Sequence, residues 1–258
     1  MSDQKKLVSL FSETLTLAVT DQGDGRTFLI LHGGAGPASV LGLAEALSKK
    51  GRSVVPTYPG FNGEPRPVWF SRIEDLVIAN LALIERLDLS NVTIIGNSLG
   101  GWLAAELALR QSPRIKSIVL LNGVGIDTGA PDKGIVDPMA VEPAKRMELS
   151  FHNPQKFAIV PAGPQLAIMA ANQQTLRVYA GQPAFMHDPT LRSRLAGIAI
   201  PALVIWGASD RIVDVGYGRR FAEAIPGARF ELIPEAGHFP QIEKLDEVVR
   251  LIGALDPY

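Results

Sequence analysis

The chain has 258 residues and no cysteine, which excludes disulfides, thiolate nucleophiles and cysteine-based metal sites. It is 47% hydrophobic and 20% charged with a formal net charge of −1, so it is typical of a folded globular protein and offers no basic stripe for nucleic acid. No stretch approaches the roughly 18 consecutive apolar residues of a membrane span, and the N-terminus is unlike a signal peptide, so we expect a cytoplasmic protein without a membrane partner.

Short apolar segments alternate with helical patterns along most of the chain. The first segment, Leu7 to Val19, alternates in polarity and predicts an antiparallel pair of strands at a sheet edge. Strands apolar at nearly every position, as in a parallel sheet covered on both faces, are predicted at 27–33, 53–60, 91–97, 115–123, 201–207 and 228–237. Helical patterns separate them at 39–50, 71–88, 99–111, 215–225 and 245–255. The fold class is therefore α/β, with a mostly parallel, doubly wound, eight-stranded sheet.

One region interrupts this alternation. Between 125 and 196 the sequence has many prolines, several short helical patterns and no good candidate for a buried strand. A structureless loop of this length is improbable in a compact domain. We therefore predict a sheet domain formed by 1–124 and 197–258, with 125–196 inserted as a helical cap.

A serine lies between glycines where the strand at 91–97 leads into a helix. The segment Gly96-Asn97-Ser98-Leu99-Gly100 fits a nucleophile elbow, a strained turn that lifts the middle side chain clear of the sheet. Tight strand-to-helix packing or a phosphate loop are the alternatives. Neither GxGxxG nor GxxxxGK[ST] occurs in the chain, which counts against the phosphate loop.

A serine hydroxyl needs a base, and the base needs an orienting group. Asp210 follows the strand at 201–207 and His238 follows the last strand, so both should lie at the same sheet edge as Ser98. Alone, each could be an ordinary loop residue. The glycine-rich turn after the first parallel strand, LHGGAGP, predicts a backbone donor at Gly34, and the start of the next helix predicts a second at Leu99. A tight loop without a ligand is the alternative for that turn.

Together these segments resemble the α/β-hydrolase fold superfamily, in particular its cofactor-free serine hydrolases with a helical cap. The resemblance is carried by HGG at 32–34, GNSLGG at 96–101, WGASDRIV at 206–213 and GHFPQIE at 237–243. It implies Ser98 as nucleophile, Asp210 as acid, His238 as base, Gly34 and Leu99 as oxyanion-hole donors, and no cofactor. Serine at the elbow argues against haloalkane dehalogenases and epoxide hydrolases, whose relatives use aspartate there.

Several residues are candidates for binding a small-molecule substrate. Gly33 and Phe239 lie within the motifs and Trp102 directly follows one, while the cap supplies apolar side chains at Phe151, Met169 and Tyr179. The cap residues could instead form the core of the cap itself. Arg177 or Arg192 could bind a substrate carboxylate, or could be solvated surface residues.

The leading functional hypothesis is a carboxylesterase-like enzyme that cleaves a small, fairly apolar ester or lactone through an acyl-enzyme on Ser98. A first alternative is hydrolysis of a carbon–carbon bond in ring-fission diketo acids. The asparagine before the serine resembles the elbow sequence of that group. Phe239, however, stands where its members tend to have tryptophan. A second alternative is a non-catalytic ligand receptor on the same fold. The oligomeric state is not indicated.

Overall fold

The protein was analysed as a computed structural model that describes residues 5–129, 135–137, 140–158, 162–181 and 185–255. Its strands are β1 (Lys5–Leu10), β2 (Leu15–Gln22), β3 (Thr27–Leu31), β4 (Arg52–Thr57), β5 (Val92–Asn97), β6 (Ile115–Leu121), β7 (Gly125–Ile126), β8 (His187–Asp188), β9 (Ala202–Gly207) and β10 (Arg229–Ile233). Its α-helices are α1 (Ala38–Ser48), α2 (Ile73–Arg86), α3 (Leu99–Leu109), α4 (Pro143–Ser150), α5 (Pro154–Phe157), α6 (Pro164–Ala180), α7 (Leu191–Arg194), α8 (Val215–Glu223), α9 (Pro240–Glu243) and α10 (Leu245–Gly253).

Eight strands form the main sheet, in the order β1-β2-β4-β3-β5-β6-β9-β10. The pairs β1–β2 and β2–β4 are antiparallel, and all other neighbours are parallel. The predicted antiparallel edge pair and parallel sheet are thus confirmed. The prediction that every parallel strand is covered on both faces was wrong for β10. Leu232 in this strand is 40% exposed, because β10 forms the other edge of the sheet.

Successive residues of the central strands alternate between two hydrophobic cores. Leu29 and Ile94 belong to the core under α2, α3 and α8, whereas Ile30 and Ile95 belong to the core under α1 and α10. This alternation follows from the two-residue period of a strand. The sheet is therefore doubly wound, with helices on both faces.

The parallel strands all end at one edge of the sheet, and the loops that follow them carry the sequence motifs. Between β5 and α3 the backbone packs so closely that a Cβ built on Gly96 would lie 1.9 Å from the carbonyl oxygen of Gly100. A Cβ on Gly100 would lie 2.1 Å from the carbonyl oxygen of Leu31. Glycine at both positions therefore lets the chain turn sharply at Ser98.

Helices α4 to α7 lie between β6 and β9, and β7 and β8 pair as a small parallel sheet at the base of this insertion. Several short helical patterns were predicted in this region, and α6 forms over one of them. Residues 130–134, 138–139, 159–161 and 182–184 of the predicted cap lie outside the described residues. None of the helices in the described ranges has both the length and the apolar character needed to cross a membrane.

Candidate active site

Ser98 occupies the sharp turn between β5 and α3. Its φ of 56° and ψ of −116° place it in a region that costs a non-glycine residue roughly 1–3 kcal/mol. The conformation is maintained because Ser98 N donates to Leu121 O at 3.0 Å and Ser98 O accepts from Val124 N at 3.2 Å. The turn thus has the strained backbone that the sequence predicted for this position.

His238 and Asp210 form a buried pair in the loops after β10 and β9. Their side chains are 6% and 0% exposed, and His238 Nδ1 lies 2.8 Å from Asp210 Oδ2. Because a carboxylate only accepts, the proton of the ring lies on Nδ1, and Nε2 is left to accept another proton. This is the tautomer that a general base requires.

The carboxylate of Asp210 is fixed from several sides. Its Oδ1 accepts from Ile212 N at 2.8 Å and from Val213 N at 3.0 Å. Its Oδ2 accepts from Asn122 Nδ2 at 2.6 Å in addition to His238. Hydrogen bonds to a charged group are among the stronger ones, so the acid is held rigidly.

Two buried asparagines connect the central strands to these loops. Asn97 Nδ2 donates to His238 O at 3.1 Å and to Leu121 O at 3.0 Å. Asn122 directly follows β6, and its Oδ1 accepts from Gly207 N at 3.3 Å. Asn122 was not predicted as a site residue, although a polar residue directly after a buried strand at the carboxyl edge was an available signal.

Within the described residues, no hydrogen bond joins the Ser98 hydroxyl to the His238 ring. Hydrogen bonds between a nucleophile and its base are often long before a substrate binds and tighten in the reactive complex. The fold therefore brings His238 and Asp210 into direct contact, and the role of Ser98 as nucleophile stays a prediction.

His32 shapes the glycine-rich loop beside Ser98. Its Nε2 accepts from Tyr58 N at 3.2 Å, so its proton lies on Nδ1, which donates to Gly33 O at 2.8 Å. Complete burial lowers the pKa of His32 to about 4, so the ring is neutral at physiological pH. The same Gly33 carbonyl accepts from Gly36 N at 3.0 Å, which closes the loop.

Of the two expected oxyanion-hole residues, Leu99 directly follows Ser98, and Gly34 follows a residue that packs against Ser98. Leu99 is the first residue of α3, where backbone N–H groups have no partner within the helix. Gly34 follows Gly33, whose hypothetical Cβ would lie 2.8 Å from Ser98 Cβ. Their role as donors stays a prediction that this arrangement permits.

Phe151 and Phe239 form an aromatic pair beside His238, and their role in binding a substrate stays a prediction. Their ring centroids are 5.3 Å apart, and the Phe239 ring is 5.2 Å from that of His238. Trp102 is buried below the elbow against Gly125. Its indole Nε1 is buried without a hydrogen-bond partner among the described residues.

The other candidate binding residues have different surroundings. Tyr179 is buried, and its hydroxyl donates to Pro59 O at 2.7 Å, so it holds the loop after β4. Met169 is 37% exposed on the first half of α6. Arg177 pairs with Asp137 at 2.5 Å. Among the described residues, no side-chain hydrogen bond or ring contact joins these three to Ser98 or His238.

Within the described ranges, no group of three or more His, Asp or Glu side chains could hold a metal ion.

Known proteins resemble this chain over most of its length. A model of the alpha/beta hydrolase family matches residues 28–251. The 2-hydroxymuconate semialdehyde hydrolase of Pseudomonas putida is 28% identical over 247 residues, which cover 90% of this chain and 87% of that protein. A 2-hydroxy-6-oxononadienedioate/2-hydroxy-6-oxononatrienedioate hydrolase of Dechloromonas aromatica is also 28% identical, over 92% of this chain and 89% of that protein.

Solved structures share the fold. A meta-cleavage product hydrolase from Pseudomonas fluorescens superposes with a TM-score of 0.78 at 22% identity, covering 97% of this chain and 96% of that one. A thermophilic esterase from Thermogutta terrifontis superposes with a TM-score of 0.76 at 20% identity, covering 97% of both chains. At these identities the superpositions establish the fold alone.

Proposed function

The chain belongs to the alpha/beta hydrolase family, and we propose that it is a serine hydrolase that cleaves a carbon–carbon bond in diketo acids of the ring-fission type. This replaces ester or lactone cleavage as the leading hypothesis. The observation that carries the choice is the likeness to the hydrolases of Pseudomonas putida and Dechloromonas aromatica, which extends over about nine-tenths of this chain. Serine at the elbow and asparagine before it are consistent with that group.

We assign Ser98 as nucleophile, His238 as base and Asp210 as the group that orients the base. His238 Nε2 takes the hydroxyl proton while Ser98 Oγ forms a bond to the ketone carbon of the substrate. A 2-hydroxy-6-oxo-2,4-dienoate reacts in its 2,6-dioxo form, in which the proton of the C2 hydroxyl has moved to C5. The C5–C6 bond then breaks, its electron pair passes into the conjugated dienolate of the leaving part, and the dienolate takes the proton back from His238. Water, deprotonated by His238, then attacks the acyl-enzyme, the acyl group leaves as a carboxylic acid, and Ser98 Oγ regains its proton from His238.

The negative charge on the former ketone oxygen needs two donors placed before the reaction starts. Gly34 N and Leu99 N are our candidates, and the dipole of α3 adds to the second. Loss of one such donor typically lowers the rate by roughly 10²- to 10³-fold. The shape of the loop at 32–36 therefore matters for the rate, which explains the hydrogen-bonded, neutral His32 beneath it.

Residues 125–196 are proposed to act as a cap over this site. In α6, Leu176 reaches the oxyanion loop, because a Cβ built on Gly34 would lie 2.6 Å from Leu176 Cδ2. Thr175 Oγ1 donates to Gly60 O at 2.9 Å, and Asn172 Oδ1 accepts from Asn62 N at 2.7 Å. The cap thereby covers the loops after β3 and β4 and would bound the substrate on that side.

Hydrolysis of a small, fairly apolar ester or lactone remains the second candidate. Arg177 is the cap arginine proposed to bind a substrate carboxylate, and it already pairs with Asp137 at 2.5 Å. Binding an anion there would require it to compete with that carboxylate. The phenyl rings of Phe151 and Phe239 beside the base also suit an uncharged acyl group.

A panel of one 2-hydroxy-6-oxo-2,4-dienoate, one aryl ester and one lactone separates these candidates. We expect the highest kcat/KM on the dienoate and a loss of roughly 10³-fold or more on every substrate in Ser98→Ala. Arg177→Gln should raise KM for the dienoate and leave KM for the ester unchanged.

Three outcomes would overturn the assignment. A dienoate turned over more slowly than the ester would favour ester cleavage. Undiminished turnover by Ser98→Ala would exclude a serine mechanism, and no reaction with any of the three substrates would favour the ligand-receptor alternative.

A further inference from the structure

Residues 148–153, which run from the last turn of α4 to the start of α5, contact the two loops that carry His238 and Asp210. We propose that Glu243 is a positioning residue for His238, because its carboxylate ties the histidine loop to this segment. The proposal rests on the proposed role of His238 as base. Among the described residues, Glu243 itself makes no hydrogen bond to Ser98 or to the His238 ring, so it would position His238 through the backbone.

Glu243 binds backbone groups from two separate parts of the chain. Its Oε2 accepts from Gly237 N at 2.6 Å and from His152 N at 3.1 Å, and its Oε1 accepts from Asn153 N at 2.9 Å. Glu243 is only 8% exposed, so water cannot readily replace these bonds. One carboxylate therefore satisfies three backbone donors.

The residue next to Gly237 is the base itself. His238 N donates to Ser150 O at 2.7 Å, so the histidine backbone is attached to the 148–153 segment. The approach is close, since a Cβ built on Gly237 would lie 2.3 Å from the Ser150 carbonyl oxygen. A shift of this segment would thus move the backbone from which the imidazole extends.

The same segment also contacts the loop of Asp210. Arg211 N donates to Leu149 O at 3.1 Å, and the Arg211 guanidinium donates to Phe151 O at 3.3 Å and to Glu148 O. His152 Nδ1 lies 2.8 Å from the hydroxyl of Ser209. Residues 148–153 thus contact both the loop of Asp210 and the loop of His238. The carboxylate of Glu243 joins them to the loop of His238.

A carboxylate is the group that this position requires. The three partners of Glu243 are all N–H donors, and a carboxylate offers two accepting oxygens and no hydrogen. Glutamine has one accepting oxygen, and its NH₂ group would face one of the backbone donors. Aspartate keeps the charge on a side chain that is shorter by one methylene.

The test compares Glu243→Gln and Glu243→Asp with Glu247→Gln. Glu247 is a matched control because it is also a glutamate but lies on α10 with more than a third of its side chain exposed. Its Oε1 lies 3.8 Å from Arg250 Nη2. The rate at which a small fluorophosphonate labels Ser98 is measured from pH 5 to 9, together with kcat, KM and the urea midpoint. We expect Glu243→Gln to slow labelling and kcat by about 10- to 100-fold, with KM little changed and the midpoint of the pH profile shifted. Glu243→Asp should recover part of the rate, and Glu247→Gln should match the wild type.

Labelling and kcat at the wild-type level in Glu243→Gln, with only a lower urea midpoint, would overturn the proposal, because Glu243 would then be purely structural. Labelling does not depend on the diketo acid, so a wrong substrate class leaves this test intact. If the wild-type chain is not labelled, the proposed function fails, and amide hydrogen exchange decides the question separately. We expect faster exchange at 237–238 in Glu243→Gln, and unchanged exchange there would overturn the positioning role.

Discussion

His32 is a single side chain that connects the shape of the active-site loop to the pH dependence of stability. Its ring is completely buried, lies 4.2 Å from the ring of Tyr58, and accepts a hydrogen bond from Tyr58 N at Nε2 that needs the neutral form. A histidine in an unfolded chain has a pKa of about 6.5, whereas burial lowers the pKa of His32 to about 4. Between these values the unfolded chain binds a proton that the folded chain does not.

Stability should therefore be complete above about pH 6.5 and decrease as the pH falls towards about 4. The contribution of His32 to the free energy of unfolding over this interval is of order 3 kcal/mol. Urea unfolding of the wild type and of His32→Asn at pH 7 and pH 4.5 measures it. We expect the wild type to lose more stability between the two pH values than His32→Asn does. An equal loss in both proteins would show that another group causes the dependence.

The turn from β5 into α3 shows how packing between two elements selects the residue type. A Cβ on Gly96 would meet the backbone of Gly100 at 1.9 Å, and backbone at this depth has little room to move. Gly42 in α1 provides the contrast, because it lies on the exposed side of its helix and a Cβ there would have no heavy atom within 4 Å. The same substitution should therefore have opposite effects at the two positions.

Gly96→Ala should lower the free energy of unfolding by about 3 kcal/mol or more and abolish reaction at Ser98. Gly42→Ala should raise the free energy of unfolding by about 0.5–1 kcal/mol, because alanine favours the helix over glycine. Thermal and urea unfolding of both variants check the two signs. A Gly96→Ala protein as stable as the wild type would show that the strand and the helix can separate at the elbow.

At the scale of the whole molecule, the parts that were predictable from sequence are those encoded within one segment. The buried strands, the glycines of the elbow and the positions of Asp210 and His238 after strands needed only local patterns. The partners of Asn122 and Glu243 could not be predicted in this way. Each binds groups far away along the chain, and a single polar letter does not indicate which backbone it will meet.

The orientation of α6 could not be predicted from the sequence either. Its first half is exposed although it contains Leu166, Ile168 and Met169, so hydrophobicity does not mark the buried side. The buried side is set by Asn172 and Tyr179, which bind the loop after β4. For this reason Met169 and Tyr179 were plausible pocket residues by composition, whereas the structure gives them other surroundings.

The proposed mechanism requires that one hydroxyl of this molecule is activated by a buried imidazole and carboxylate. Peptide mapping by mass spectrometry after exposure to a fluorophosphonate shows which hydroxyl reacts. We expect a single covalent adduct per chain, located on Ser98, and labelling that is slower by roughly 10³-fold or more in His238→Ala. An adduct on another residue, or equal labelling rates in the wild type and His238→Ala, would contradict it.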